Sequence, residues 1–134
     1  MQHVTEFRVR YSETDQMGVV YHANYLVWCE MGRTDLIRAL GKSYVDVERD
    51  GVNLAVAEAR LRYKRGALYD EVIRVVTRVS EVRSRVITFD YDITRADGTP
   101  LVSATTVLVA VGRDGRSTTL PLDIRQALEN AIEN

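Results

Sequence analysis

The sequence is short of cysteine, of charge of one sign and of long apolar runs, and each shortage excludes a class of protein. Cys29 is the only cysteine among 134 residues, so no internal disulfide can form, and with two histidines no Cys/His metal cluster is visible. The net charge is −1, whereas a general nucleic-acid binder carries a basic excess. No apolar run approaches the roughly 18 residues of a membrane span, and the N-terminus lacks a signal-peptide pattern. We therefore expect a cytoplasmic protein without metal, nucleic-acid partner or membrane insertion.

What the chain does contain is the composition of a folded domain. Hydrophobic residues make up 46% and charged residues 28%, which is ordinary for a globular protein and not for a disordered one. The length is sufficient to bury a sizeable core. Because no linker, repeat or low-complexity stretch interrupts the chain, we expect one domain over residues 1–134.

The apolar spacing of the first half of the chain predicts a strand followed by two helices. Residues 5–11 alternate between apolar and polar side chains, the pattern of a half-buried strand. From about Ala23 the period becomes helical, and one face of this long helix comprises Leu26, Cys29, Leu36, Ile37 and Leu40. Gly41 suits its end, and a short second helix is expected between Ser43 and Gly51.

The second half predicts four strands and a closing helix. The strands are expected over 53–65, 71–82, 85–95 and 101–111, and the helix after Pro121. Tight turns between successive strands predict antiparallel pairing, so we expect an α+β fold in which a sheet of about five strands curves around the long helix. The strands are long for the chain, which favours pairing with a second copy in a homodimer or homotetramer.

Several polar residues interrupt the alternation just ahead of the long helix, in the stretch YSETDQMGVVYHANYL at 11–26. This stretch and its continuation, VWCEMGR, resemble the signature of hot-dog-fold acyl-CoA thioesterases of the 4-hydroxybenzoyl-CoA thioesterase type, particularly the bacterial Tol-Pal-associated branch. RYKRGALYDEVIRVVTRV, further along, also resembles that family. The resemblance covers the whole chain and implies a hot-dog fold. It also implies hydrolysis of an acyl-CoA to free acid and coenzyme A, which is part of the substrate and not a separate cofactor.

The resemblance implies roles for particular residues in this stretch. Asp15 would be the catalytic carboxylate, which either attacks the thioester carbonyl or activates water. The backbone N–H at His22 would polarise the carbonyl oxygen, because a helix N-terminus offers free N–H groups and a favourable dipole.

Other roles remain open for the same residues. The carboxylate of Asp15 could simply accept hydrogen bonds from loop N–H groups. The ring of His22 could transfer a proton, orient the acid or cap the helix. Tyr21 could line the pocket or pack into the core beside the helix start.

Further residues are expected to contact the substrate. Gly18 and Val19 lie in the loop after the acid, and Asn24 lies at the start of the helix. Leu54 and Val56 are expected to line the acyl pocket together with the long helix, from this chain or from a second copy. Their aliphatic character favours a modest aliphatic or aromatic acyl group, but short-chain, long-chain and aryl substrates all remain possible.

A basic group at a turn between two strands is expected to bind the phosphates of coenzyme A. It consists of Arg83, Ser84 and Arg85, and arginine is well suited to phosphate oxygens. A second basic group, which comprises Arg60, Arg62 and Lys64, is interpreted as the solvated face of a strand.

Other residues and functions are weighed beside this interpretation. Glu30 and Arg33, one helical turn apart, are interpreted as an ion pair on the helix surface. A second hot-dog lineage uses a helix glutamate, which keeps Glu30 as an alternative acid. Cys29, on the apolar face, is interpreted as a core residue.

The alternative functions are a thioesterase that accepts acyl groups from acyl carrier protein and a non-catalytic acyl-CoA-binding protein.

Overall fold

A computed structural model describes residues 1–132, in which one antiparallel sheet packs against a long helix. The strands are β1 (His3–Arg8), β2 (Val52–Tyr63), β3 (Val72–Val82), β4 (Val86–Arg95) and β5 (Pro100–Gly112). The helices are α1 (Asn24–Ala39), α2 (Tyr44–Arg49) and α3 (Leu122–Ile132). The strand order across the sheet is β1-β3-β4-β5-β2. The predicted α+β architecture and its five strands are therefore confirmed.

The pairing of the strands departs from the prediction at one place. β3, β4 and β5 pair through successive turns, as expected, but β2 pairs with β5 and not with β3. Residues 64–71 carry the chain across to β3, whose two edges are taken by β1 and β4. β2 therefore lies at an edge of the sheet, and residues 55–60 are exposed on both faces instead of burying one.

The core forms where α1 lies across the sheet. Buried side chains on α1 include Tyr25, Trp28, Cys29, Leu36 and Ile37, and they pack in one cluster with inward-facing residues of the strands. Gly32 lets the helix approach β3 closely, because a Cβ there would stand 2.4 Å from the Thr77 Oγ1. Leu26, predicted on the buried face, is 41% exposed. The aromatic pair Tyr25 and Trp28 points inward instead, which turns Leu26 toward the surface.

The ends of the helices agree with the sequence. Ser43 caps α2, since its Oγ accepts a hydrogen bond from the Asp46 N–H at 3.2 Å. Gly41 follows the end of α1 with a φ of +80°, a conformation that favours glycine. The predicted boundary between the two helices is confirmed.

The two ends of the sheet carry different loops. Arg8 pairs with Val72, and Ile73 pairs with Arg95, so the segment after β1 and the connection before β3 lie at the same end. The turn between β3 and β4, residues 83–85, lies at the other end. β3 has 11 residues, so at a rise of roughly 3.3 Å per residue the two ends are about 30 Å apart.

Candidate active site

A small hairpin over residues 14–20 presents Asp15 at the surface. The Asp15 N–H donates to the Val19 carbonyl at 2.8 Å, and the Gly18 N–H donates to the Asp15 carbonyl at 3.1 Å. Gly18 has a φ of +81°, and an added Cβ would meet nothing within 4 Å. The glycine is thus required by the backbone of the turn and not by crowding.

Asp15 uses one oxygen to hold its own turn and leaves the other open. Its Oδ1 accepts a hydrogen bond from the Met17 N–H at 2.8 Å, which is the loop-bonding role that the sequence allowed for an aspartate. Within residues 1–132, no group donates a hydrogen bond to its Oδ2. The turn therefore fixes the carboxylate while one oxygen remains available.

Glu13 attaches this hairpin to α1, and sequence reasoning missed it. The side chain is only 5% exposed. Its Oε2 accepts from the Trp28 indole N–H at 2.7 Å, and its Oε1 accepts from the Arg10 N–H at 2.8 Å. Its backbone carbonyl accepts from the Tyr21 N–H and from the Asn24 amide, both at 2.8 Å. Trp28 is distant in sequence, so no local pattern could have indicated the bond.

The hydrogen bonds also settle the charge state of Glu13. Burial acts to raise the pKa of this carboxyl, but the bonds from the Arg10 backbone and the Trp28 indole outweigh it, so the pKa is below that of an ordinary glutamate. Glu13 is ionised at neutral pH and remains a strong acceptor for the two donors.

The N-terminus of α1 is open beside the hairpin. Its N-cap residue, Ala23, has no side chain that could accept a hydrogen bond from the first turn. The N–H groups of His22 and Ala23 donate to no acceptor in the part of the chain that the structure describes, whereas the Asn24 N–H donates to the Tyr21 carbonyl at 2.9 Å. Free N–H groups and the helix dipole make this end a favourable place for developing negative charge.

The side chains of Tyr21 and His22 lie at the surface over this end. The His22 ring stands 4.5 Å from the Tyr21 ring and 6.5 Å from the Tyr63 ring, measured between centroids. The Tyr63 hydroxyl donates to the His22 carbonyl at 3.2 Å, which ties the end of β2 to the start of α1. Between residues 1 and 132, no hydrogen bond joins the His22 ring to Asp15 or to the helix. Tyr21 is 49% exposed and does not pack into the core.

Two other residues that were predicted to contact the substrate form contacts within the protein. Val19 forms an isolated bridge with Leu68, and it is half-buried against Gly66. The amide of Asn24 is the one that donates to Glu13. Both residues therefore hold the hairpin in place.

A groove runs between α1 and β2 from the His22 end of the helix toward α2. It contains a cavity of about 250 Å³ and another of about 370 Å³. The first is lined in part by Leu26, Val27 and Val56, the second by Thr34, Tyr44 and Leu54, and both by Glu30 and Arg33. We call this surface the α1–β2 groove. Leu54 and Val56 thus lie beside the long helix, as the sequence predicted.

Arg33 forms the floor of the α1–β2 groove and is not the surface residue that was predicted. It is 6% exposed, because α1 turns it toward β4 and β5. Its Nη2 lies 3.9 Å from the Glu30 Oε2, so the predicted ion pair is present, although the two atoms are too far apart for a hydrogen bond. Its Nη1 lies 3.5 Å from the hydroxyl of Tyr91, and that hydroxyl is 2.6 Å from the Thr106 Oγ1. Its Nε has no hydrogen-bond partner.

The basic group of Arg83, Ser84 and Arg85 lies at the turn between β3 and β4, at the opposite end of the sheet from Asp15. Arg83 forms an ion pair with Glu81. Arg85 donates from Nη1 to the Ser117 Oγ at 3.1 Å. Within one chain, the structure does not bring this basic group to the hairpin.

The remaining candidates are structural. Cys29 is fully buried, and burial raises the pKa of its thiol to about 12, so it is the core residue that was predicted. No cluster of three or more potential metal ligands occurs within residues 1–132. The same residues contain no helix long and apolar enough to cross a membrane.

Relatives of this chain match it over nearly its whole length. A model of the family described as the thioesterase-like superfamily matches residues 9–128. YneP of Bacillus subtilis (strain 168), provisionally named an acyl-CoA thioesterase, is 39% identical over 91% of this chain and 86% of that protein. The acyl-CoA thioesterase YbgC of Haemophilus influenzae is 36% identical over 77% of this chain and 75% of that protein. The structure of DHNA-CoA thioesterase from Staphylococcus aureus has a TM-score of 0.92 and 32% identity, and covers 96% of this chain and 89% of that chain.

Proposed function

This chain belongs to the thioesterase-like superfamily and is a thioester hydrolase with a hot-dog fold, and from that premise we propose that it hydrolyses acyl-CoA with Asp15 as the catalytic carboxylate. The names of its relatives support acyl-CoA as the substrate. The signature at 11–33 resembles the 4-hydroxybenzoyl-CoA thioesterase type and its Tol-Pal-associated branch, and we assign the chain to that type as part of the proposal.

The observation that carries this proposal is an open carboxylate on a hairpin bonded to an uncapped helix N-terminus. The thioester carbonyl would lie at the start of α1, where its oxygen accepts hydrogen bonds from the N–H groups of His22 and Ala23. The free Oδ2 of Asp15 attacks the carbonyl carbon or takes a proton from an attacking water. The C–S bond then breaks, and coenzyme A leaves as a thiolate. After direct attack, water hydrolyses the acyl–Asp15 anhydride to the free acid and the carboxylate, and the proton released neutralises the thiolate. After attack by water, the proton taken up by Asp15 passes to the thiolate.

The Asp15 carboxylate and the backbone N–H donors are expected to accelerate the reaction by comparable factors. A general base raises the rate by a factor of ~10²–10⁴, and one oxyanion donor raises it by a factor of ~10²–10³. Because the donors are backbone groups, mutation cannot remove them singly, and Asp15 is the residue through which the proposal can be tested.

We also propose that the active form is a homodimer or larger assembly. β2 is an edge strand, and Val56 and Tyr63 on it are exposed beside the exposed Leu26 and Val27 of α1. A second copy that pairs with this edge would enclose the α1–β2 groove, so that these apolar side chains contact the acyl group of a substrate instead of water. It could also bring its own Arg83–Arg85 group to the coenzyme A phosphates, which one chain does not do. Sedimentation at several protein concentrations tests this, and a monomer at micromolar concentration would contradict it.

The test of the catalytic role is thiol release from a panel of acyl-CoAs by the wild type and by Asp15→Asn. Asparagine keeps the acceptor for the Met17 N–H, so the turn is retained and only the charge is lost. We expect a loss of ~10² or more in kcat. Asp114→Asn is the matched control, because Asp114 holds a similar turn through the Arg116 N–H at 3.0 Å at the other end of the sheet.

The outcome separates the alternatives. Equal rates for Asp15→Asn and the wild type would contradict the catalytic role of Asp15. Binding of acyl-CoA without turnover would favour a non-catalytic protein. Faster hydrolysis of an acyl group carried by acyl carrier protein than of the same acyl-CoA would favour acyl carrier protein as the carrier.

A further inference from the structure

Arg33 is a buried cation whose hydrogen-bonding capacity is largely unused. Its guanidinium has one long contact, to the Tyr91 hydroxyl, and its nearest carboxylate is the 3.9 Å neighbour Glu30. The Glu30 side chain is 69% exposed, so solvent weakens its attraction. Buried charges in proteins are normally paired with an opposite charge or fully hydrogen-bonded. Among the residues that the structure describes, Arg33 has only the long ion pair with Glu30 and one long hydrogen bond, to Tyr91.

The groups around Arg33 do not supply a compensating negative charge. Tyr44 of α2 and Tyr91 of β4 face it, and burial raises the pKa of both hydroxyls above that of an ordinary tyrosine. The thiol of Cys29 on α1 is likewise neutral. Thr106 of β5 and Leu54 of β2 complete the surroundings. The neutral Tyr44 hydroxyl is a further acceptor beside the guanidinium, but apart from Glu30 none of these described groups carries a negative charge, which a ligand would supply.

The position of Arg33 suggests which ligand would supply the negative charge or acceptor. Asn24 begins α1, and nine residues later, at about 1.5 Å per residue, Arg33 lies about 14 Å further along the axis. Helix side chains lean back toward the N-terminus, which places the guanidinium on the order of 10 Å from the helix start. The lining of this part of the groove is largely apolar: it includes Leu26, Val27, Val56 and Ala59, together with the polar Glu30 and Thr106.

We propose that Arg33 is a specificity-determining residue that binds an oxygen, carboxylate or hydroxyl, at the far end of the acyl group. The carbonyl of the substrate lies at the start of α1, its apolar middle lies along the α1–β2 groove, and its terminal oxygen accepts hydrogen bonds from the guanidinium. A carboxylate is the stronger ligand, because it carries the charge that the site lacks and matches the planar guanidinium. This inference rests on the proposed function, which places the thioester carbonyl at the N-terminus of α1.

The test compares substrates that differ only at the far end. Octanoyl-CoA, ω-hydroxyoctanoyl-CoA and the mono-CoA thioester of octanedioic acid share one chain length, which matches the distance along the groove. We expect the wild type to show a kcat/KM about ten- to hundredfold higher for at least one of the oxygenated substrates than for octanoyl-CoA, mainly through KM. The oxygenated substrate with the higher kcat/KM identifies the group, carboxylate or hydroxyl, that the guanidinium binds.

Two variants separate specificity from a structural role. Arg33→Met removes the charge at similar length, and Arg33→Lys keeps the charge without the planar fork. We expect Arg33→Met to abolish the preference, so that octanoyl-CoA and the oxygenated substrates have similar kcat/KM values, and Arg33→Lys to retain part of it. Arg38→Met is the control, because Arg38 is exposed on the same helix and pairs with Asp35 at 3.1 Å. If Arg33→Met proves unfolded by circular dichroism, the test depends on Arg33→Lys alone. The value to compare with the wild type is then the ratio of kcat/KM for the favoured oxygenated substrate to kcat/KM for octanoyl-CoA.

Failure of this inference differs from failure of the proposed function. If the wild type hydrolyses acyl-CoAs but treats the three substrates alike, or if the preference survives in the Arg33 variants, the specificity role is wrong and the hydrolase stands. If the wild type hydrolyses no acyl-CoA, the proposed function fails and the inference fails with it.

Discussion

Glu13, which bonds to α1, and Arg33, which belongs to α1, are two buried charged side chains that differ in how far their hydrogen-bonding capacity is used. Both oxygens of Glu13 accept a hydrogen bond at 2.7–2.8 Å. Within residues 1–132, the Arg33 Nε has no hydrogen-bond partner, and the guanidinium has one hydrogen bond at 3.5 Å and one ion pair at 3.9 Å. Because an ionised group is costly to bury without partners, a saturated charge indicates a structural role and an unsaturated one indicates a place for a ligand.

The same contrast separates the two regions of the site. The hairpin that carries Asp15 is held by Glu13 through side-chain and backbone bonds to Trp28, Arg10 and Tyr21, so its geometry is fixed before a substrate arrives. The α1–β2 groove is open and exposes apolar side chains on both of its walls. Preorganised groups favour catalysis, whereas an open apolar groove provides binding surface.

The largest effect is expected at the saturated charge. Glu13→Ala leaves the buried Trp28 indole without an acceptor and removes the acceptor of the Arg10 N–H, and we expect a loss of about 3 kcal/mol in the free energy of unfolding. Thiol release should fall as well, because the hairpin loses its attachment to α1. Urea denaturation measures the first effect. Glu48→Ala, at an exposed glutamate of α2, is the control. An equal loss of unfolding free energy in both variants would contradict the structural role of Glu13.

An acid titration should sharpen the assignment of charge to Glu13. The folded pKa of Glu13 is lowered, so its contribution to stability is fully present above the pKa of an unfolded glutamate, ~4.3. It is lost as the pH falls through the lower, folded pKa. We expect the stability difference between wild type and Glu13→Gln to shrink over that interval. A difference that is constant between neutral and acid pH would show that the carboxylate charge contributes nothing.

The smallest effect is expected at the unsaturated charge. Arg33→Met removes a buried cation that lacks a close carboxylate, and replacing buried charges by apolar residues of similar size is often neutral or stabilising. We expect a change of less than about 1 kcal/mol in the free energy of unfolding, of either sign. Measured by urea denaturation, a loss as large as that of Glu13→Ala would show that Arg33 is structural and would break the comparison.

Local patterns in the sequence were sufficient for most of the fold. Period-2 alternation predicted the strands, helical spacing predicted α1, and Gly41 and Ser43 marked the boundary between two helices, all within a few residues of the observed elements. The start of α1 near Ala23 and free N–H groups at that end were also expected from the sequence, whereas capping by the His22 ring remained open until the structure showed no such bond within residues 1–132. Such signals are short-range and depend on backbone preferences that neighbouring residues share.

What the sequence by itself determined is therefore the set of elements, their approximate bounds and the loop that carries Asp15 ahead of α1. The tertiary structure alone decided that Glu13 meets Trp28, that Arg33 is buried while Leu26 is exposed, and that β2 lies at an edge of the sheet. Helical spacing defines a stripe on α1, but the side chains that the sheet can accommodate decide which way that stripe turns. Pairings of this kind join residues far apart in the chain, and they depend on packing that no local pattern contains.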